Sequence, residues 1–256
     1  ISLKMKKNYI LTLLLALLFS TFCVAQVSYT GNGNSGFGDV FGSTGSLEIT
    51  DDGTQISLTL NRGAGDLNNT MIIYIDSKTG GFSDTSSFTD TGDGLRKGIS
   101  GYDGTNRSTV SFPAGFEADY AIALDQSFAG LWTLVGAGSH AYIDSANLNP
   151  TGTPGNSTFT FNIDFSEIGT TSSSNFKFVV TYLNDGNAFR SDEAIGDGIS
   201  SGNPGATAVT FTGDRSYPNT WTGATDTSWT TASNWSQGVP TTTHNVYIPV
   251  TTNQPS

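Results

Sequence analysis

An all-β fold, an antiparallel β-sandwich of jelly-roll or immunoglobulin-like general architecture, is predicted by three observations on this sequence. Glycine supplies 31 of the 256 residues and charged side chains only 13%, a composition rich in turn formers and poor in helix formers. Short runs alternate apolar and polar side chains with period two, the signature of half-buried strands. Turn signals such as "DDG", "GAG" and "NDG" separate those runs, the spacing of a sandwich.

The elements follow in order. "QISLTLN" places Ile56, Leu58 and Leu60 on one face. "MIIYI", Met71 to Ile75, is apolar on both faces and reads as a central strand covered from two sides. "ADYAIALD" alternates through Tyr120, Ile122 and Leu124, and "LWTLVGAGSHAYI" reads as a hairpin bringing Trp132 and Tyr142 onto facing strands. "STFTFNIDF" sets Phe159, Phe161, Ile163 and Phe165 against Thr158, Thr160, Asn162 and Asp164, and "NFKFVVTYL" repeats the pattern with Phe176, Phe178, Val180 and Tyr182. The one helical turn expected is "DFSEIG", capped by Ser166 and ended by Gly169.

The first residues set the compartment. Lys6 and Lys7 follow a start at Met5; an apolar run then ends in the small-residue exit "FCVAQ", so residues 1–25 read as a secretory signal peptide with upstream residues, cut after Ala25. Phe22 before Cys23 disfavours lipidation, and cleavage removes the only cysteine. It also removes Lys4, Lys6 and Lys7, leaving eight basic side chains against 22 acidic ones, so the formal charge moves from −11 to −14. Such a surface disfavours nucleic acid and anionic membrane as partners, and leaves neutral polysaccharide, a cell-surface glycan or divalent cations. No membrane span is expected after signal cleavage, and the expected location, after export by the Sec route, is extracellular or on the outer cell surface.

"MIIYIDSKTGGF", "LRKGISGYDG", "VSFPAGFEADYAIAL" and "LWTLVGAGSHAYI" together resemble the DOMON-like sandwich superfamily that includes family-nine-type carbohydrate-binding modules, with Asp76 and Asp119-Tyr120 at the matching places. The resemblance covers residues 26–213. A composition change then marks a linker at 214–219. From 220 to 256, "TWTGATDTSWTTASNWSQGVPTTTHNVYIPV" is similar to a repeat opening in surface adhesins that use type IX secretion, matched by Trp221, Trp229, Asn234, Trp235, Val239, Pro240, Ile248 and Pro249. That likeness implies the start of a β-solenoid-like repeat, truncated at Ser256, in which the three tryptophans cap the solenoid end. The competing use of those tryptophans is a sugar platform.

Several motifs match catalytic patterns and fail on context. "GNGNSG" (31–36) and "GAGSHA" (136–141) fit dinucleotide fingerprints, but the first has no helix after it and the second runs into another strand. "GISSG" (198–202) fits a nucleophile elbow at Ser200 without the strand and helix that an elbow needs, and only His140 and His244 are available as its base. The loop from Asp76 through Asp84 and Asp90 to Asp93 is a candidate calcium site, since hard carboxylate oxygens suit calcium; the competing reading is of solvated turn aspartates. Some DOMON relatives hold haem between a methionine and a histidine, here Met71 and His140, although core packing also explains Met71. Glu117, Asp119, Asp164, Glu167, Asp192 and Glu193 are available carboxylates, but no glycosidase pair can be assigned.

The resemblance implies carbohydrate binding, with Trp132 as the main stacking surface and Tyr142 beside it; core burial of Trp132 is the alternative. The expected function is therefore a secreted or cell-surface, non-catalytic module for carbohydrate or adhesion. Two alternatives stand beside it: an accessory domain of a larger secreted polysaccharide hydrolase, and a structural stalk.

Overall fold

The computed structural model describes residues 27–172, 174–195, 207–209, 213–215, 219–236, 238–240 and 246–256. The signal segment, Ser200 and His244 lie outside them. The strands are β1 (Val27–Thr30), β2 (Ser46–Asp51), β3 (Gln55–Asn61), β4 (Thr70–Asp76), β5 (Thr109–Ser111), β6 (Tyr120–Leu124), β7 (Ala129–Thr133) and β8 (Ala141–Ser145). They continue as β9 (Thr158–Asp164), β10 (Phe176–Asn184), β11 (Phe189–Ile195), β12 (Thr207–Val209), β13 (Gly213–Arg215), β14 (Asn219–Thr220) and β15 (Val246–Tyr247), and among the described residues one α-helix, α1 (Gly94–Ser100), interrupts them.

The fold is all-β and sandwich-like. A four-stranded antiparallel sheet of order β1-β2-β3-β9 faces a larger antiparallel sheet of order β11-β10-β4-β6-β7-β8. The alternation read from the sequence explains the interface: Leu58 and Leu60 of β3 and Phe159 and Phe161 of β9 share one buried cluster with Met71 and Ile73 of β4 and Ile122 of β6. Apolar area removed from water stabilises that packing by about 25 cal/mol per Å². β10 engages two partners in succession along one edge, Phe176–Phe178 against β13 and Val180–Asn184 against β11, so pairing in the larger sheet reaches Arg215.

β4 is buried on both faces, and its even residues require a third layer. Ile72 and Tyr74 pack outward with Ala121, Ala123, Val179 and Leu183 against Phe88, Leu95, Ile99, Val110 and Phe116 of the 77–119 segment. The helix in that segment was not expected from the sequence. Its seven residues include two glycines, but Asp93 accepts from Arg96 N at 2.9 Å as N-cap, Leu95 and Ile99 share the face turned to the sheet, and Gly101 ends it with φ of 57°. A Cβ at Gly98 would lie 2.6 Å from Thr70 Cγ2, so only glycine lets α1 lie this close to β4. The turn expected at "DFSEIG" is a 3-10 helix, Phe165–Ile168, ended by Gly169. Its cap is Asp164 instead of Ser166, with Asp164 N donating to Glu167 Oε2 at 2.7 Å.

Buried and half-buried polar side chains pin the loops. Glu193 is fully buried and accepts from Val40 N at 2.7 Å and Phe41 N at 3.1 Å, while Ser191 Oγ donates to its other oxygen at 3.0 Å. It thereby ties the 31–45 loop to β11 and seats Val40 and Phe41 in the core. Burial pushes the Glu193 carboxyl above its ordinary range. Arg62 does the same for a second pair of loops, donating to the carbonyls of Asn156, Gly155 and Gly65 and pairing with Asp66 at 3.2 Å.

The C-terminal strands form a small unit of their own. β14 and β15 pair in parallel, and Trp221 and Trp235 form an isolated bridge. Trp221 is fully buried and its ring meets Trp235 edge-on at 4.9 Å, while Trp229 meets Trp235 at 4.6 Å. Asn234 holds the turn beneath, its Oδ1 accepting from Thr225 N and Asp226 N and its Nδ2 donating to Asp226 Oδ1 and Ser228 O. Two of the three tryptophan rings are thus packing residues.

Replacing Glu193 by alanine orphans the buried Val40 and Phe41 amides, each worth about 1–3 kcal/mol when unsatisfied. Glu193→Ala is expected to lower the unfolding free energy by about 3 kcal/mol, read as a lower urea midpoint at constant slope. An unchanged midpoint would refute the role given to this carboxylate.

Candidate functional site

The predicted hairpin carries the aromatic residues. β7 and β8 pair with Trp132 opposite Tyr142 and Gly130 opposite Ser145, through an irregularity between Leu131 and Trp132. β8 closes the larger sheet at its edge. Trp132 is only 4% exposed and packs within the outer apolar layer, which corrects its expected role as the main stacking surface: its ring belongs to the core. Tyr142 is 54% exposed and rests edge-on against Trp132, with ring centroids 5.6 Å apart at 67°.

Phe128 extends this surface. A Cβ at Gly130 would lie 2.6 Å from the Trp132 ring and 2.9 Å from the Phe128 ring, so both rings occupy the space a side chain there would fill. Asp125 Oδ1 accepts from Ser127 N and Phe128 N and fixes the turn that presents Phe128, which is 38% exposed. The result is a two-ring ledge, Tyr142 and Phe128, over a buried Trp132 floor. Phe128 escaped the sequence reading; the "DQSF" turn just before the strand was its signal.

The four aspartates proposed as calcium ligands are not drawn together, and among the described residues no group of three or more His, Cys, Asp or Glu is arranged to hold a metal ion. Each carboxylate instead engages nearby amides. Asp76 Oδ2 accepts from Glu117 N at 3.2 Å, and Asp84 Oδ1 accepts from Ser86 N at 2.7 Å. Asp90 is buried and accepts from Gly92 N and His140 N, while Asp93 caps α1; Arg96 links these two, 2.8 Å from Asp93 and 3.8 Å from Asp90. Asp84 and Asp90 thus close Asx turns, Asp93 caps a helix, and Asp76 ties the end of β4 to Glu117.

Met71 and His140 lie on opposite sides of the larger sheet. Met71 belongs to the inter-sheet core, whereas His140 packs edge-on against Phe88 of the outer layer at 5.1 Å. They do not flank a common haem position. "GNGNSG" leads through turns to β2 with no helix after it.

One unpredicted grouping imitates a triad. Ser100 Oγ lies 3.2 Å from His140 Nε2, and Asp90 contacts the same histidine. The hydrogen bonds assign different roles. Val135 N donates to His140 Nδ1 at 3.1 Å, so Nδ1 is unprotonated and Nε2 carries the proton, which it donates to Ser100 Oγ. A base that accepts the serine proton needs the opposite tautomer. Asp90 meets the histidine backbone and not its ring nitrogen, and all three side chains are buried. The group is a structural clasp between α1 and the β7–β8 connection. Burial lowers the His140 pKa to about 4.

A separate cleft of about 420 Å³ opens where β4 ends and β10 begins, lined by Asp76, Lys78, Thr79, Asn175 and Lys177 among others. Its rim is pinned from behind: Asp119 Oδ2 accepts from Ser77 N and Lys78 N, both at 3.1 Å, and Ser77 Oγ donates to Ile168 O at 2.6 Å. Asp119 thus holds, from outside the cleft, the backbone of two residues that line it. Burial raises the pKa of both aspartates. Comparison of the chain with family models, curated proteins and solved structures returned no match.

Because His140 is held neutral when folded but takes up a proton near pH 6.5 when unfolded, the unfolded state binds more protons between about pH 4 and 6.5. The stability contributed by His140 is therefore present above pH 6.5 and lost as the pH falls toward 4, a loss of about 3 kcal/mol. His140→Gln is expected to flatten that slope. Parallel pH profiles of the urea midpoint for wild type and variant would refute the assignment.

Proposed function

We propose that this chain is an exported or cell-surface binding module that is not itself a catalyst, and that the Tyr142–Phe128 ledge takes the C–H face of a neutral polysaccharide. The observation that carries the reading is the exposure of Tyr142 on a rigid floor. An exposed tyrosine held by a buried tryptophan offers a flat, apolar, pre-ordered face, and its hydroxyl remains available to the glycan. The net charge of −11 supports a neutral over an anionic ligand.

The DOMON-like resemblance, the export signal and the adhesin-like opening from Thr220 onward belong to the same proposal: a sandwich for recognition, followed by the start of a surface repeat that holds it away from the cell. Exposed Tyr247, Ile248 and Val250 beside the buried Trp221 and Trp235 fit a unit whose apolar edge is covered by a further repeat. Among the described residues no helix is long and apolar enough to cross a membrane.

Retention on neutral polysaccharide gels tests the reading. Tyr142→Ala is expected to weaken retention about thirtyfold or more with an unchanged melting temperature, because an exposed anchor contributes to binding and little to folding. Trp132→Ala is expected to cost about 3–5 kcal/mol of stability, as large buried aromatic truncations do. Wild-type behaviour of Tyr142→Ala on the gels, or no retention of the wild type on any neutral glycan, would remove the ledge and favour a structural stalk.

A further inference from the structure

Arg190 of β11 stands opposite Leu183 of β10, on the outer face of the larger sheet, and is fully buried. Its guanidinium donates from Nη1 to Thr181 Oγ1 and from Nη2 to Ser108 O at 3.4 Å. It belongs to none of the ion pairs among the described residues. Two side-chain hydrogens at this place have no acceptor in the protein, Arg190 Nε–H and the hydroxyl of Ser108, which is also fully buried. Among the described residues no other buried side-chain nitrogen or oxygen lacks a partner, and these two belong to residues in contact.

The charge is a separate demand from the hydrogens. A guanidinium keeps its proton in any protein setting, so burial cannot neutralise it, and an unpaired buried charge is strongly unfavourable. The surroundings supply only dipoles. Tyr74 Oη, fully buried beside it, donates its own proton to Ile99 O at 2.7 Å and is a neutral phenol; burial raises its pKa away from ionisation. The C-terminal end of α1 also lies against the guanidinium, since a Cβ at Gly101 would stand 2.7 Å from Nη2. A helix terminus carries only about half a unit of charge.

These demands select the ligand. A water molecule accepts from both hydrogens and leaves the charge unmatched. A divalent oxyanion brings more charge than the single guanidinium offsets, and more oxygens than two donors serve. One small monovalent anion accepts from Nε–H and from the Ser108 hydroxyl and balances the guanidinium at the same time. The exterior makes such an ion easy to detect: at a net charge of −11 the surface gathers anions poorly, so an effect of a halide on folding reports an interior site.

We propose that Arg190 and Ser108 bind one buried chloride ion, which accepts a hydrogen bond from Arg190 Nε and another from Ser108 Oγ and joins β11 to the loop that follows α1. The ion is a structural ligand taken up on folding. Its site is independent of the aromatic ledge, and neither depends on the other.

The test is urea unfolding of the whole chain, followed by far-ultraviolet circular dichroism at fixed ionic strength, with sodium chloride exchanged for sodium gluconate, whose anion is too large for the site. The wild-type folding equilibrium constant is expected to rise with chloride, approaching about tenfold for each tenfold in concentration above the dissociation constant. Ser108→Ala keeps the guanidinium and removes one donor, so about tenfold more chloride is expected to be needed for the same effect. Arg190→Met removes the charge and the need for its partner together, and its stability is expected to be indifferent to chloride. If Arg190→Met does not fold, Ser108→Ala decides alone. Equal wild-type stability in chloride and gluconate would overturn the proposal and leave water as the acceptor of both hydrogens. An unaltered chloride response in Ser108→Ala, or a retained one in Arg190→Met, would overturn it by placing the ion elsewhere.

Discussion

The organisation of this molecule depends on one strand that has no solvent face. β4 pairs on one side with β6 and on the other with β10, and its side chains are apolar above and below. A strand of that kind cannot lie in a simple two-layer sandwich with one wet face, because Ile72 and Tyr74 would then meet water. The four-stranded sheet covers one side. The segment between Ser77 and Asp119 covers the other, bringing α1, Phe88, Val110 and Phe116 across the sheet. Even the alanines of β6 follow from this: Ala121 and Ala123 face the covering layer and leave room for it, whereas Tyr120, Ile122 and Leu124 fill the space between the sheets.

Strands with local alternation were legible in the sequence. β3 and β9 register directly, Leu58 against Phe161 and Leu60 against Phe159, because period two states both the element and its buried face. The β7–β8 hairpin was legible as well. Whether its outer face is wet was not, since that depends on a covering layer that begins more than forty residues before Trp132 in the chain and carries no local signature. The same non-local cover made α1 hard to see. Gly94 and Gly98 lower its intrinsic helix propensity, and what stabilises it is contact of Leu95 and Ile99 with the sheet. The aspartates were misleading for a different reason: carboxylates that hold turns and carboxylates that hold cations occur in the same glycine-rich loops, and only the direction of their lone pairs distinguishes them.

Polar burial has a consistent purpose across the sandwich. Glu193 and Arg62 join segments distant in sequence through backbone amides or carbonyls, and the Ser100–His140 contact joins two more through its side chains. Arg190 is a fourth case, fully buried with its guanidinium donating to Thr181 Oγ1 and Ser108 O. Such groups contribute little net energy compared with apolar packing, but removing either partner is costly. They specify which loop lies where, and the ledge and the cleft are both borne on loops or strand ends fixed in this way.

The distribution of the tryptophans has an optical consequence. Three of the four indoles lie between Thr220 and Ser236, where Trp221 and Trp229 each meet Trp235 edge-on, and the sandwich contains only Trp132. Emission from the intact chain is therefore weighted toward the small C-terminal unit, whose rings stand close enough to exchange excitation. A fluorescence change on heating or in denaturant would describe the loosening of that unit before it described the sandwich. A chain in which Trp221, Trp229 and Trp235 were replaced by phenylalanine would reverse the weighting and make the floor of the ledge the sole reporter.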